Sequence, residues 1–112
     1  MINSIIDVAI VVSNAKKSAD WYKEKLGLEV RDNEGHWVTV APKDSALVMH
    51  LCETKPLEQG NTGIAFRVDD LDRTYKEMVG KGVEFTVKPT KEEWGAYAMF
   101  EDPDGNEFWL MP

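Results

Sequence analysis

The chain has 112 residues, of which 43% are hydrophobic and 29% charged, with a formal net charge of -7 at pH 7. That length suits one globular domain, and the acidic balance argues against nucleic-acid binding, which needs a basic surface. No window approaches the roughly 18 apolar residues of a membrane span, and no signal peptide is apparent. Because Cys52 is the single cysteine, no internal disulfide can form, and we expect a cytoplasmic protein.

The first half of the chain reads as a strand, a helix and three more strands. Ser4–Val12 is β-branched and apolar except at Asp7, as in a strand covered on both faces. An N-cap at Ser13 or Asn14 and a stop at Gly27 bound a run of helical spacing, which predicts a helix. Further strands are predicted at 28–31, 37–41 and 46–52, separated by turns.

The second half repeats this pattern after a connection at 55–61 that has no periodicity. Thr62–Val68 repeats the strand, Asp69 or Asp70 repeats the cap, and an apolar stripe then runs at helical spacing until Gly80 and Gly82. Strands at 96–101 and 107–111 finish the copy. A repeat of this length predicts two tandem βαβββ modules, 1–54 and 61–112, in a single domain.

A tight turn joins the last two strands. Pro103 fixes φ at the second turn position, Asp102 can bond its own backbone, and Gly105 accepts positive φ. The run FEDPDGNEFWLM at 100–111 therefore predicts a β-hairpin.

Three segments, VAIVVSNAKKSADWYKEKLGLEV, IAFRVDDLDRTYKEMVGKGV and FEDPDGNEFWL, together resemble the vicinal oxygen chelate superfamily of glyoxalase I, bleomycin-resistance proteins and ring-cleaving dioxygenases. The resemblance spans nearly the whole chain. It implies an α+β fold in which two βαβββ modules form a curled mixed sheet around a cleft, with the helices outside. It also implies a homodimer.

The resemblance further implies where a metal would bind. Metal-dependent members hold one divalent ion with side chains of the first, fourth, fifth and last strands, and Asp7, His50, Gly63 and Trp109 occupy those positions here. Gly63 has no side chain to donate, and an indole has a donor N–H but no lone pair for a metal. We therefore expect no cofactor, with one divalent metal ion as the alternative.

If a metal is bound, Asp7 and His50 would hold it, with Cys52 on the same strand face as His50. Otherwise Asp7 is expected to orient a polar or cationic ligand, and His50 to be a hydrogen-bonded histidine of the cleft. The two could also act as an acid and base pair if they lie within reach. Glu107 is expected on the face opposite Trp109 and is not counted as a substitute ligand.

Alternation along the strands predicts which side chains line the cleft. Trp37 and Tyr97 are further candidates for its walls, and their facing is left open. The predicted ligand-binding cleft comprises Asp7, Ala9, Val48, His50, Cys52, Gly63, Ala65, Arg67, Trp109 and Met111, with Ile5. The opposite faces, packed beneath the helices, are predicted to carry Ile6, Val8, Ile10, Ile64, Phe66, Phe108 and Leu110.

No other catalytic motif competes, and the charged run Lys91–Glu93 before Trp94 is interpreted as a solvated loop or a lid. The sequence favours a small-molecule-binding protein with a degenerate metal site, whose ligand is cationic or aromatic. The alternative is a divalent-metal-dependent lyase or dioxygenase of the same superfamily. A third hypothesis is a subunit whose apolar cleft is buried in an interface.

Overall fold

The computed structural model describes residues 3, 5–53 and 60–112. Its helices and strands follow one another in the order of the predicted repeat. Neither of the helices found in the described residues is long and apolar enough to cross a membrane. The elements are β1 (Asp7–Val12), α1 (Ala15–Leu26), β2 (Glu29–Glu34), β3 (Trp37–Ala41), β4 (Val48–Glu53), β5 (Asn61–Arg67), α2 (Leu71–Gly80), β6 (Glu84–Glu92), β7 (Gly95–Glu101) and β8 (Glu107–Met111).

The chain divides into two compact units, residues 1–58 and 59–112, and each contains one βαβββ module. The first sheet has the strand order β1-β4-β3-β2, and the second has the order β5-β8-β7-β6. In each sheet the first strand of the module runs parallel to the last one, and the remaining pairs are antiparallel. The predicted α+β class and the two βαβββ modules are therefore confirmed.

Both helices begin at the polar caps that the sequence offered. The N–H of Lys17 donates to the side chain of Asn14 at 3.0 Å, and the N–H of Arg73 donates to the side chain of Asp70 at 3.1 Å. Each of these bonds satisfies one of the free N–H groups of a first turn. Helix α1 then ends at Gly27, whose φ of 70° is a left-handed conformation that favours glycine.

Each module buries one side of its sheet together with its helix. In the first unit the buried strand residues alternate with half-buried or exposed ones along β1 and β4, and Ala15, Ala19 and Tyr22 of α1 are buried with them. The strand residues of this core are Ile10, Val12, Val38, Val40, Met49 and Leu51. Burial of these side chains is the main stabilising contribution of the module.

In the second unit the core is aromatic. Phe66, Phe100 and Phe108 contact one another with ring centroids 5.3 to 6.1 Å apart. Tyr75 of α2 packs edge-on against Phe85 at 4.7 Å, and Phe85 contacts Phe100. These contacts identify the face that is turned toward the helix, so the alternate residues of the same strands lie on the other face.

The predicted hairpin turn is present between β7 and β8. Both the N–H of Asp104 and that of Asn106 donate to Asp102 Oδ1, at 2.9 and 2.8 Å, and the Asn106 side chain donates to Asp102 Oδ2. Gly105 has a φ of 84°, as the turn requires. The turn fixes the register that pairs Phe100 with Phe108.

Some predicted boundaries were wrong. Strand β1 begins at Asp7, and Ile6, which was expected beneath the helices, is 71% exposed. The run Lys91–Glu93 is not a loop throughout, because β6 extends through Glu92 and the chain turns only after it. The connection at 55–61 falls mostly outside the described residues. Strand β6 is an edge strand whose register shifts between Phe85 and Val87 and again between Val87 and Thr90.

Candidate functional site

The first sheet brings together the half of the predicted set that belongs to it. Strands β1 and β4 pair in parallel, with Asp7 opposite Val48 and Ala9 opposite His50. Cys52 follows His50 by two residues and lies on the same face, which is less buried than the face that carries Met49 and Leu51. Asp7, Ala9, Val48, His50 and Cys52 therefore share one face of this sheet.

The imidazole of His50 is held on the side of β3. Its Nε2 lies 3.2 Å from the carbonyl oxygen of His36, and its ring centroid lies 4.6 Å from that of Trp37. A carbonyl oxygen only accepts, so Nε2 carries the proton and the lone pair of the neutral ring is on Nδ1. Asp7 lies on β1, the other neighbour of β4. His50 is thus a hydrogen-bonded histidine, and Trp37 is on its face of the sheet.

A polar pair beside His50 was missed by sequence reasoning. Thr39 lies opposite His50 in the β3–β4 ladder and is buried. Its hydroxyl donates to Asp32 Oδ2 at 2.7 Å, across the β2–β3 ladder. Trp37 and Thr39 are two residues apart in β3, so the sequence could place them on one face of the strand. The sequence alone could not show that this face lies beside His50, because that depends on the register of β3 against β4.

The second sheet brings together the other half of the predicted set. Ala65 lies opposite Trp109, and Arg67 lies opposite Met111, in the parallel pairing of β5 with β8. Gly63 falls in the irregular register between Asn61 and Ala65. Because Phe108 and Leu110 are buried, the half-buried Trp109 and Met111 lie on the face turned away from α2.

Three aromatic rings meet on that face. The ring centroid of Tyr97 lies 5.1 Å from that of Trp109. Trp94, from the turn between β6 and β7, stacks on Tyr97 at 5.2 Å and meets Trp109 edge-on at 6.3 Å. Trp94 is still 59% exposed. These three residues are called the aromatic cluster below, and they settle the facing of Tyr97.

The expectation for Glu107 was wrong. Residues two apart on a strand share a face, so Glu107 lies on the same face as Trp109. It pairs with Glu101, which in turn pairs with Glu84, so that three carboxylates cross the sheet in one row. The hydroxyl of Thr86 donates to Glu107 Oε2 at 2.8 Å. This acidic row was not recognised from the sequence because it spans three strands.

The pKa of Glu101, the central member of the acidic row, is raised. Burial and the carboxylate of Glu84, which also hydrogen-bonds to Glu101, raise the pKa of Glu101. The charges of Glu107 and Asp102 act in the same direction. Each of these causes disfavours the ionised form of the Glu101 carboxyl.

Two of the four positions that the resemblance implies for metal ligands lack a donor atom in this chain. Gly63 and Trp109 supply no ligand atom, whereas His50 keeps a lone pair on Nδ1 because its Nε2 is engaged by a carbonyl. Across residues 5–53 and 60–112, no three His, Cys, Asp or Glu side chains are placed so that they could hold a metal ion. Whether an ion binds in solution stays a prediction.

A comparison of the chain with known families agrees with the two βαβββ modules. Residues 4–110 match the model of the Glyoxalase/Bleomycin resistance protein/Dioxygenase superfamily. The chain belongs to this superfamily.

Particular relatives span nearly the whole chain. The uncharacterized protein YetH of Bacillus subtilis (strain 168) is 36% identical, covering 98% of each chain. A superfamily member from Sphaerobacter thermophilus DSM 20745 is 32% identical with a TM-score of 0.86, covering 97% of this chain and 96% of its own. TnmS3, an antibiotic binding protein from Streptomyces sp. CB03234, is 29% identical with a TM-score of 0.87, covering 98% of this chain and 95% of its own.

Proposed function

We propose that this chain binds a small organic molecule with a flat aromatic part, without a metal ion. The aromatic cluster is the observation that carries the proposal. Its rings lie on the sheet face turned away from the helix, and Trp94 remains largely exposed. Aromatic faces favour stacked or edge-on contacts with another ring, so the cluster offers a flat guest both contact area and orientation.

Similarity to a ligand-binding relative supports this function. TnmS3 is an antibiotic binding protein, and its similarity extends over nearly all of this chain at 29% identity. The likeness supports a binding role on the same fold. It does not specify the ligand, which must be argued from the side chains of this chain.

The absence of a metal ion is part of the proposal and has its own test. We expect protein purified without chelators to contain nickel, zinc or iron at far less than one ion per chain by elemental analysis. Two of the four family ligand positions lack a donor atom, and catalytic zinc sites ordinarily use three protein ligands. A stoichiometric ion lost in Asp7→Ala or His50→Ala would instead favour the metal-dependent lyase or dioxygenase.

The binding role is tested with a neutral planar probe, naphthylmethanol, by isothermal titration calorimetry. We expect measurable binding that Trp109→Ala weakens strongly, because this change removes one of the two indole rings of the cluster. Trp21→Ala is the matched control, since it removes an indole that packs on Tyr22 in helix α1 instead. No binding by the wild type, or equal losses in both variants, would contradict the proposal.

We also propose that the protein is a homodimer. Ile5 and Ile6 are 74% and 71% exposed, and they precede β1, an edge strand of the first sheet. Exposed apolar residues beside an unpaired edge suit contact with a second copy, and closed two-fold assemblies are the commonest oligomers.

A further inference from the structure

The face that carries the aromatic cluster is ordered in rows across the second sheet. One row contains Ala65, Trp109 and Met99, which are successive partners in the β5–β8 and β8–β7 ladders. In the next row Arg67 lies opposite Met111, and the register that pairs Ala98 with Leu110 places Tyr97 opposite Met111. The acidic row of Glu84, Glu101 and Glu107 lies on the other side of the Trp109 row.

The rows separate positive from negative charge. Met111, the partner of Arg67, lies four residues from Glu107 along β8, which corresponds to about 13 Å at roughly 3.3 Å per residue. This exceeds the screening length of about 8 Å at physiological ionic strength. The acidic row therefore does not neutralise the charge of Arg67, and the Trp109 row lies between the two.

Arg67 also has no ionic partner within the described part of the chain. The ion pairs formed there join Arg31 with Glu29 and Lys81 with Glu77. Asp69, the nearest carboxylate along the chain, is in neither pair. In a chain of net charge -7, an unpaired arginine beside an aromatic surface provides a local attraction for an anion. A guanidinium is also geometrically matched to a carboxylate.

We propose that Arg67 selects aromatic ligands that carry an anionic group, such as an aryl carboxylate or aryl sulfonate. The ring lies against Trp109 and Tyr97, and the anionic group reaches the guanidinium in the adjacent row, roughly 6 to 7 Å away along the strand. The acidic row disfavours the opposite orientation by charge repulsion. This inference rests on the proposed binding function and adds the charge of the ligand to it.

The test compares three probes that share one ring system and differ in charge: naphthoate, naphthylmethanol and naphthylmethylammonium. We expect naphthoate to bind about two- to fivefold more tightly than naphthylmethanol, the modest preference of an exposed ion pair. Added salt should reduce the preference. The ammonium probe tests the opposite charge preference.

Variants assign the preference to Arg67. Arg67→Met should remove the preference for naphthoate while leaving the affinity for naphthylmethanol unchanged, and Arg67→Lys should retain part of it. Arg73→Met, which makes the same change on helix α2, is the control and should leave all three affinities unchanged. Thermal melts of each variant check that it is folded.

The outcomes separate the two proposals. If naphthylmethanol binds and Trp109→Ala weakens it, but naphthoate shows no advantage or keeps its advantage in Arg67→Met, the role of Arg67 is overturned and the binding function stands. If tighter binding of the ammonium probe is found, the ligand charge is wrong. If none of the probes binds, the proposed function itself fails.

Discussion

Phe108 and Trp109 are neighbours in β8 with opposite surroundings. Phe108 is fully buried and contacts Phe66 and Phe100, whereas Trp109 is half-buried and contacts Tyr97. We expect Phe108→Ala to cost about 3 to 5 kcal/mol of unfolding free energy through loss of burial and a residual cavity. Trp109→Ala should cost clearly less, because its side chain is only half-buried and its loss leaves no closed cavity.

Thermal melts of the two variants check this difference. A Trp109→Ala protein that melts as low as Phe108→Ala would mean that Trp109 is a core residue. The binding proposal would then lose its main observation, because a core ring is not available to a ligand.

A second prediction at the residue scale concerns how the ionisation of Glu101 affects stability. Burial and Glu84 raise the pKa of Glu101 in the folded state, so the folded chain binds the proton more tightly than the unfolded chain does. Between the ordinary carboxyl pKa and the raised one, stability therefore falls as pH rises. Above the raised pKa, the charge of Glu101 is opposed by Glu84, Glu107 and Asp102, and we expect Glu101→Gln to be more stable than the wild type there.

Urea denaturation at several pH values measures this effect. The gain in Glu101→Gln should shrink as the pH is lowered toward the carboxyl range, because the wild-type side chain becomes neutral. Glu92→Gln, near the end of β6 and exposed, is the control and should show no such trend. A gain that is independent of pH would rule out the electrostatic cause.

At the scale of elements, the two helices depend on equivalent caps. The Asn14 and Asp70 side chains each accept from the N–H three residues on. We expect Asn14→Ala and Asp70→Ala each to lower the free energy of unfolding by about 0.5 to 2 kcal/mol. Asn14→Asp and Asp70→Asn keep a side-chain acceptor, so each should retain most of the cap's contribution to the free energy of unfolding. Urea titrations with an unchanged slope would confirm a loss of stability alone, and wild-type midpoints in the alanine variants would contradict the role.

The helices and most strands were predictable because their signals are local. The cap at Asn14, the stop at Gly27 and the bounds of β3 and β8 match the predictions. The end of β6 was not predictable, because Lys91 and Glu92 have the composition of a loop and are in a strand only through pairing with Ala96 and Gly95.

The candidate site was less predictable than the elements. Alternation correctly grouped Asp7 with His50, but it could not show that His36 and Trp37 hold the imidazole. The stacking of Trp94 on Tyr97 depends on the conformation of the turn between β6 and β7, which the local composition does not specify. The misplacement of Glu107 was an error in applying the two-residue period, and the period itself is obeyed.

At the scale of the whole molecule, the internal repeat was the basis of the fold prediction, and the proposed dimer makes a further prediction. We expect light scattering at micromolar concentration to give twice the chain mass. Replacing Ile5 and Ile6 together with glutamate should reduce that mass by placing like charges at the contact. The control is Val79→Glu on α2, which is also an exposed apolar residue. A monomer mass for the wild type would contradict the dimer.

The shape of β6 has a consequence for the solubility of the folded chain. The free edge of the second sheet at β6 is interrupted by two register shifts and contains Pro89, which has no N–H to donate. Lys88 and Lys91 add charge beside it. An irregular, charged edge without a complete row of donors is a poor template for a strand of another molecule. The native protein is thereby protected at this edge against sheet-to-sheet aggregation.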